Sequence, residues 1–290
     1  MADEDARRED GPLAIVCGGG TLPLTVADAV ARSGRRVVLF PLRGSADPVA
    51  VARYPHHWLG LPQAGRLRRL ARKEGCRDVV LIGSLVRPAI RQFRFDWLTL
   101  RLLPRIIRLY RGGDDHLLSG VAEVFGEHGF RLLGAHEVAP EILAREGPLG
   151  GHRPSPRDQA DIARGLALIV AAGPFDVGQA VVIANNHVLA IEAAEGTDRM
   201  LDRIAELRRD GRINLPEGVG VLVKAPKPGQ DRRVDLPSIG PQTVDRAARA
   251  GLAGLAVMAG GTIVAEPDRV VRDADRAGLF VVGVRDEASA

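Results

Sequence analysis

The chain has 290 residues, 46% of them hydrophobic and 26% charged, with a formal net charge of +4 and a pI near 9.6. That composition excludes general disorder and the length predicts about two domains, while 4% aromatic content beside abundant Gly, Ala, Val and Leu favours parallel α/β layers over a β-sandwich. Two cysteines, Cys17 and Cys76, exclude a disulfide framework and point to a reducing compartment; no run reaches the ~20 apolar residues of a membrane span, and "MADEDARRED" lacks the apolar core of a secretory signal.

Taken in chain order, "PLAIVCGGGTLPLTVADAVARSGRRVVLF" predicts a strand at Leu13–Cys17, a glycine turn, a helix over Thr21–Ser33 and a strand at Val37–Phe40, a βαβ opening. A helix over Ala64–Glu74, a strand at Asp78–Ile82, helices over Leu98–Arg111 and Asp114–Gly129 and a strand at Phe130–Leu133 continue the alternation. The expected fold class is α/β: a Rossmann-like open parallel sheet in residues 11–137 and a second α/β domain in 138–290. Pro140, Pro148, Pro154 and Pro156 predict a linker after "GAHEVAP". Beyond it come a helix near Arg157–Ala171, a hairpin turning at Asn185-Asn186, a helix over Thr197–Arg208, a strand at Val219–Val223, a helix over Thr243–Ala250, strands at Gly254–Val257 and Thr262–Val264, a helix over Pro267–Ala277 and a strand at Leu279–Val284.

Four stretches could carry chemistry. Gly18, Gly19 and Gly20 lie between strand and helix, where backbone amides can cradle a phosphate. They do not spell the dinucleotide fingerprint, and "LFPLRG" puts no acid at the end of the second strand, so NAD binding is disfavoured and a mononucleotide stays open. Asp114 and Asp115 begin a helix, where capping competes with ligand binding. His136 and Glu137 stand at the end of the first domain's last strand, where α/β folds bind ligands. In "IEAAEGTDRM", Glu192, Glu195 and Asp198 could bind Mg²⁺, or Thr197 or Asp198 could cap the next helix. Most informative is "VKAPKPGQDRRVDLPSIG", residues 223–240, whose prolines forbid a helix interior or central strand and predict a rigid loop rich in charge. There Lys224 and Lys227 can neutralise phosphates, Arg233 can clamp one bidentately, and Asp235 can be a metal ligand or a base toward water. An acidic cluster paired with a basic one suits metal-assisted phosphoryl chemistry.

"CGGGTLP", "GSLVRP", "GDD", "GAHEV", "DVGQ", "AIEAAEGTD", "KAPKPGQDRRVDLPSIG" and "AGLAGLAV", in this order and over nearly the whole chain, resemble the LpxI-type UDP-2,3-diacylglucosamine pyrophosphatases of lipid A biosynthesis. The resemblance implies a two-domain hydrolase with its active site between the domains, releasing UMP and 2,3-diacylglucosamine 1-phosphate with the help of a divalent metal such as Mg²⁺. It places the aspartate of the family's "VDLP" on Asp235, with Lys224 and Arg233 as further catalytic candidates. Glu195 and Asp198 would share the metal, and Gly18, Gly19, Gly20, Arg87, Asp114, His136, Gln179, Lys227 and Gln230 would bind substrate. Met258 stands where the family is expected to carry Glu.

A lipid-linked UDP-sugar also gives meaning to "RQFRFDWLTLRLLPRIIRLYR", residues 91–111, where six arginines surround large apolar residues as in an interfacial element. A helix packed on the sheet with a basic outer face is the competing reading. The expected partners are the lipid substrate and a membrane surface, without nucleic acid and with a homodimer possible. The expected location is the cytoplasm, peripheral on the inner membrane. Rival functions are a nucleotide-binding oxidoreductase and a non-catalytic nucleotide-sugar sensor.

Overall fold

The computed structural model describes residues 11–60, 63–84, 96–102, 114–175, 177–233 and 235–285. It divides into two compact units, one of Met1–Glu141 with Asp231–Asp235 and the other of Ile142–Gln230 with Leu236–Ala290.

In the first unit, strands β1 (Leu13–Cys17), β2 (Val37–Pro41), β3 (Asp78–Ile82) and β4 (Arg131–Leu132) form a parallel sheet in the order β2-β1-β3-β4. β1 and β2 are almost wholly buried, which is why they read as continuous apolar runs rather than alternating ones. Helices α1 (Leu22–Arg32), α2 (Ala64–Lys73) and α3 (Asp114–Glu127) complete the layers. At the amino end of the sheet the buried Asp78 carboxylate accepts hydrogen bonds from Arg35 (2.5 Å) and Arg131 (2.8 and 3.0 Å). Burial pushes this carboxyl up, but the two guanidiniums outweigh it and hold it below its ordinary value. The opposite edge of the sheet holds the carboxyl ends of the strands. They carry Gly18–Gly20, Gly83-Ser84 and Gly134–His136, and the strand order reverses between β1 and β3, the position at which doubly wound sheets bind ligands.

The second unit is built on a six-stranded sheet ordered β5-β12-β10-β8-β6-β7: β5 (Gly147–Pro148), β6 (Ala180–Ala184), β7 (His187–Ile191), β8 (Val221–Lys224), β10 (Gly254–Met258) and β12 (Phe280–Val284). β8, β10 and β12 run parallel, and β5, β6 and β7 pair antiparallel; β9 (Ser238–Ile239) and β11 (Ile263–Val264) form a separate two-stranded ladder. Leu222 of β8 faces a core shared with α5 (Gly196–Arg209), α6 (Pro241–Arg249) and α7 (Pro267–Arg276). Its neighbours Val221 and Val223 face α4 (Pro156–Ala172), as alternation along a strand requires. Gly165 lets α4 lie close, since a Cβ there would come within 2.6 Å of Val223.

Two expectations are refined. The proline-rich stretch expected as linker contains the edge strand β5, where Pro148 needs no ladder donor, and α4 begins at Pro156 behind a Ser155/Asp158 capping box. The hairpin turns at Asn185 (φ 51°) and Asn186 (φ 66°) as expected, and the buried Asp161 of α4 accepts from both turn amides, at 2.9 and 2.6 Å.

Candidate active site

Lys224 ends β8 among residues that leave its side chain only 8% exposed. Its Nζ donates to Thr197 Oγ1 at 2.9 Å, and that hydroxyl donates to Glu192 Oε1 at 2.9 Å. Glu192 Oε2 accepts from the Gln179 amide at 3.1 Å. A lysine buried in a sheet is expensive unless hydrogen-bonded, and this relay supplies one partner. Of the two residues that could have capped α5, Thr197 gives its hydroxyl to the relay, and the N-cap position is Glu195, which makes no side-chain cap bond.

Beyond Lys224 the chain makes a tight turn over Lys227–Gln230. Pro228 and Gly229 (φ +78°) occupy its centre, the Gln230 amide donates to the Lys227 carbonyl at 3.3 Å, and Gln230 Oε1 accepts from the Lys227 amide at 2.9 Å. Pro then Gly is the order a type II turn demands. Gln230, expected on substrate, is 7% exposed and braces this turn.

Residues Asp231–Asp235 then join the first unit. Arg233 donates to Asp231 through Nε (2.9 Å), Nη2 (2.7 Å) and its backbone amide (3.0 Å), so the fork expected on a phosphate is engaged by a neighbouring carboxylate. The Arg233 bond holds the Asp231 carboxyl below its ordinary value, and the same bond raises Arg233. The Asp235 amide donates to the Asp231 carbonyl at 3.2 Å, closing the loop on itself with the Asp235 side chain partly exposed.

His136 lies against this loop. A Cβ on Gly134 would come within 2.4 Å of His136 Nδ1 and 3.0 Å of the Arg233 Cα, so only glycine fits there. Burial is the leading influence on the imidazole and holds its pKa below 6.5, helped by the Arg232 charge and opposed by Glu137, Asp231 and a bond to the Arg232 backbone. Its Nδ1 is buried without a hydrogen-bond partner among the described residues. Glu137 is occupied locally, accepting from the Gly134 amide at 2.6 Å.

The glycine triplet makes a backbone crossing with the end of β3. Gly18 donates to the Ile82 carbonyl (2.8 Å) and Gly19 to Ser84 (2.7 Å), while Ser84 donates back to Gly19 (3.0 Å). A Cβ on Gly18 would lie 2.4 Å from the Ser84 oxygen. Two of the three amides are thus engaged in a backbone crossing, and a Cβ at Gly20 (φ +87°) would meet nothing within 4 Å. Asp114 opens α3 with its carboxylate outside the described residues, and Arg87 is also outside them.

The acids expected to share a metal are engaged by arginines: Glu195 pairs with Arg203 at 2.9 Å and Asp198 with Arg246 at 3.3 Å. They belong to the second unit, Asp235 to the first. Among the described residues no three His, Cys, Asp or Glu side chains are grouped to hold a metal ion. Met258 ends β10 packed against the α4-side core, a role that thioether flexibility suits.

Of the arginine-rich stretch, residues 96–102 are described and 97–102 are helical. Asp96 accepts from Thr99 N (2.9 Å), Thr99 Oγ1 (2.8 Å) and the Arg66 amide of α2 (3.0 Å), tying two helix starts together. Trp97 and Leu100 point outward, 81% and 46% exposed. No helix among the described residues is long and apolar enough to cross a membrane.

Residues 12–142 match the LpxI N-terminal domain and residues 145–282 the LpxI C-terminal domain. The chain is 42% identical over 272 residues to the UDP-2,3-diacylglucosamine pyrophosphatase LpxI of Caulobacter vibrioides, covering 94% of this chain and 97% of that protein. A crystal structure of UDP-glucose-4-epimerase from Stenotrophomonas maltophila with bound NAD and formylated UDP-arabinopyranose aligns with 56% of this chain and 49% of its own at 14% identity and a TM-score of 0.27, too slight a likeness to bear on either fold or function. Matched along nearly its whole length by both domains, the chain belongs to the LpxI family.

Proposed function

We propose that the protein hydrolyses the pyrophosphate bond of UDP-2,3-diacylglucosamine, releasing UMP and 2,3-diacylglucosamine 1-phosphate for lipid A biosynthesis. The observation that carries this reading is Lys224: an ammonium held in a buried relay at the carboxyl end of a central parallel strand, at the head of the stretch that leads to Asp235. A fixed cation in a water-poor site stabilises charge developing on a phosphoryl oxygen far better than a mobile surface lysine. Asp235 activates the attacking water or orients it. Lys227 and Arg233 lie in the same charged stretch, and both side chains have the chemistry of phosphate recognition.

Mg²⁺ enters this proposal through the donor chemistry of the substrate. A small hard cation keeps several waters and takes one or two carboxylates plus phosphate oxygens, so Asp235 and the pyrophosphate suffice while Glu195 and Asp198 stay with their arginines. When bound, the ion would neutralise pyrophosphate charge. Peripheral attachment to the inner membrane on its cytoplasmic side is supported by the exposed Trp97 and Leu100 beside Arg101.

The test is product analysis with purified protein. UMP and 2,3-diacylglucosamine 1-phosphate are expected in equal amounts from the diacylated substrate, and no UMP from unacylated UDP-N-acetylglucosamine. Absence of UMP release, or NAD-dependent oxidation of the sugar, would overturn the reading.

A further inference from the structure

We propose that Thr197 and Glu192 are positioning residues that aim the Lys224 ammonium at the pyrophosphate, an inference that rests on the function proposed above. A lysine ammonium is a point charge on a flexible four-carbon stem, so its value to a reaction depends on what fixes it. Here the fixing group is a hydroxyl with both of its roles assigned: Thr197 Oγ1 accepts from Lys224 Nζ at 2.9 Å and gives its own proton to Glu192 Oε1 at 2.9 Å. Because a hydroxyl has one proton, its commitment to Glu192 turns lone pairs toward Lys224.

Glu192 is itself held from several sides. Its second carboxylate oxygen accepts from the Gln179 amide (3.1 Å), its own amide donates to Ala180 (2.9 Å), and its carbonyl accepts from Gly178 (3.1 Å). A Cβ on Gly178 would come within 2.5 Å of Glu192 Cγ, so the backbone leaves room for this side chain and for nothing more. Lys224 and Thr197 are 8% and 9% exposed, which shields the relay from competing water. Thr197 reaches it because Gly196 (φ +78°) turns the chain from the strand end into α5.

The sequence pattern displays Glu192 and Thr197 as one more acid and one more cap. Their assembly on Lys224 gives them a function through that residue.

The experiment is a double-mutant cycle on kcat/KM for UMP release, with kcat and KM separated. Lys224→Met should lower kcat/KM about a hundredfold and Thr197→Val about tenfold, chiefly in kcat. Thr197→Ser, which keeps the hydroxyl, should recover most of that loss. In the Lys224→Met background Thr197→Val should cost less than about twofold, because the residue through which it acts is gone. Effects that multiply, or a Thr197→Val enzyme as fast as wild type beside an impaired Lys224→Met, would overturn the positioning inference alone. A fully active Lys224→Met would instead overturn the function assigned to Lys224. Should Thr197→Val not fold, Glu192→Gln carries the same cycle: its amide NH₂ would donate to Thr197 and leave the hydroxyl proton without its acceptor, so the tenfold loss and its disappearance beside Lys224→Met are again expected.

Discussion

Replacing Asp231 by alanine tests how the catalytic loop is held. The carboxylate takes three hydrogen bonds from Arg233, two from the guanidinium and one from the backbone. With the Arg233 side chain 44% exposed and that of Asp231 14%, solvent screens the pair, so the bonds together are worth about 2 kcal/mol rather than the larger sum of three buried ones. That corresponds to about a thirtyfold rise in the population of an opened loop. Trypsin reads this population directly, because Arg232 and Arg233 are its cleavage points within the segment. Cleavage at these arginines should accelerate by about thirtyfold and kcat/KM for UMP release should fall by about tenfold, with the melting temperature nearly unchanged. Asp231→Asn, which keeps one acceptor oxygen, should fall between. Unchanged proteolysis together with unchanged turnover would refute the claim that this pair orders the loop.

Asp161→Ala removes the acceptor for both hairpin turn amides; because the asparagines are exposed, water replaces part of the loss, leaving about 2 kcal/mol and a melting temperature lower by about 4–8 °C, and an unchanged melting curve would show the clamp to be idle. For His136, whose pKa is depressed by burial, the unfolded chain binds the proton first, so its contribution is full above about pH 6.5 and shrinks as pH falls toward the folded pKa; His136→Gln should flatten the denaturant midpoint between pH 7.5 and 5.5, and an equally steep variant would contradict this. Glu195→Gln and Asp198→Asn should leave the Mg²⁺ concentration for half-maximal rate within about twofold of wild type, since these carboxylates serve Arg203 and Arg246; a tenfold rise would return them to the metal.

The strands were legible because burial on both faces writes itself as unbroken apolar runs, as in "LAIVC" and "VVLFP", and the hairpin because two asparagines tolerate positive φ. β5 was hidden because a two-residue edge strand held by Gly147 and Pro148 has no apolar signature. The charged loop announced itself through its prolines, and its Pro-Gly turn could be read. Which charge meets which could not: Arg233 and Asp231 pair at a separation of two residues, whereas Lys224, Thr197 and Glu192 meet only after β7, α5 and β8 assemble. The glycine triplet was ambiguous for a related reason, since close backbone approach and phosphate binding demand the same residue, and its contacts come from Ile82 and Ser84, distant in sequence.

Asp235 is the centre of the account, and its replacement is the most direct test. Asp235→Asn keeps the shape and the hydrogen bond from the backbone amide to the Asp231 carbonyl while removing the carboxylate. Turnover of UDP-2,3-diacylglucosamine, followed as UMP released, should fall by about a thousandfold or more, with the melting temperature and substrate binding preserved. A folded Asp235→Asn protein that releases UMP at close to the wild-type rate would contradict the account.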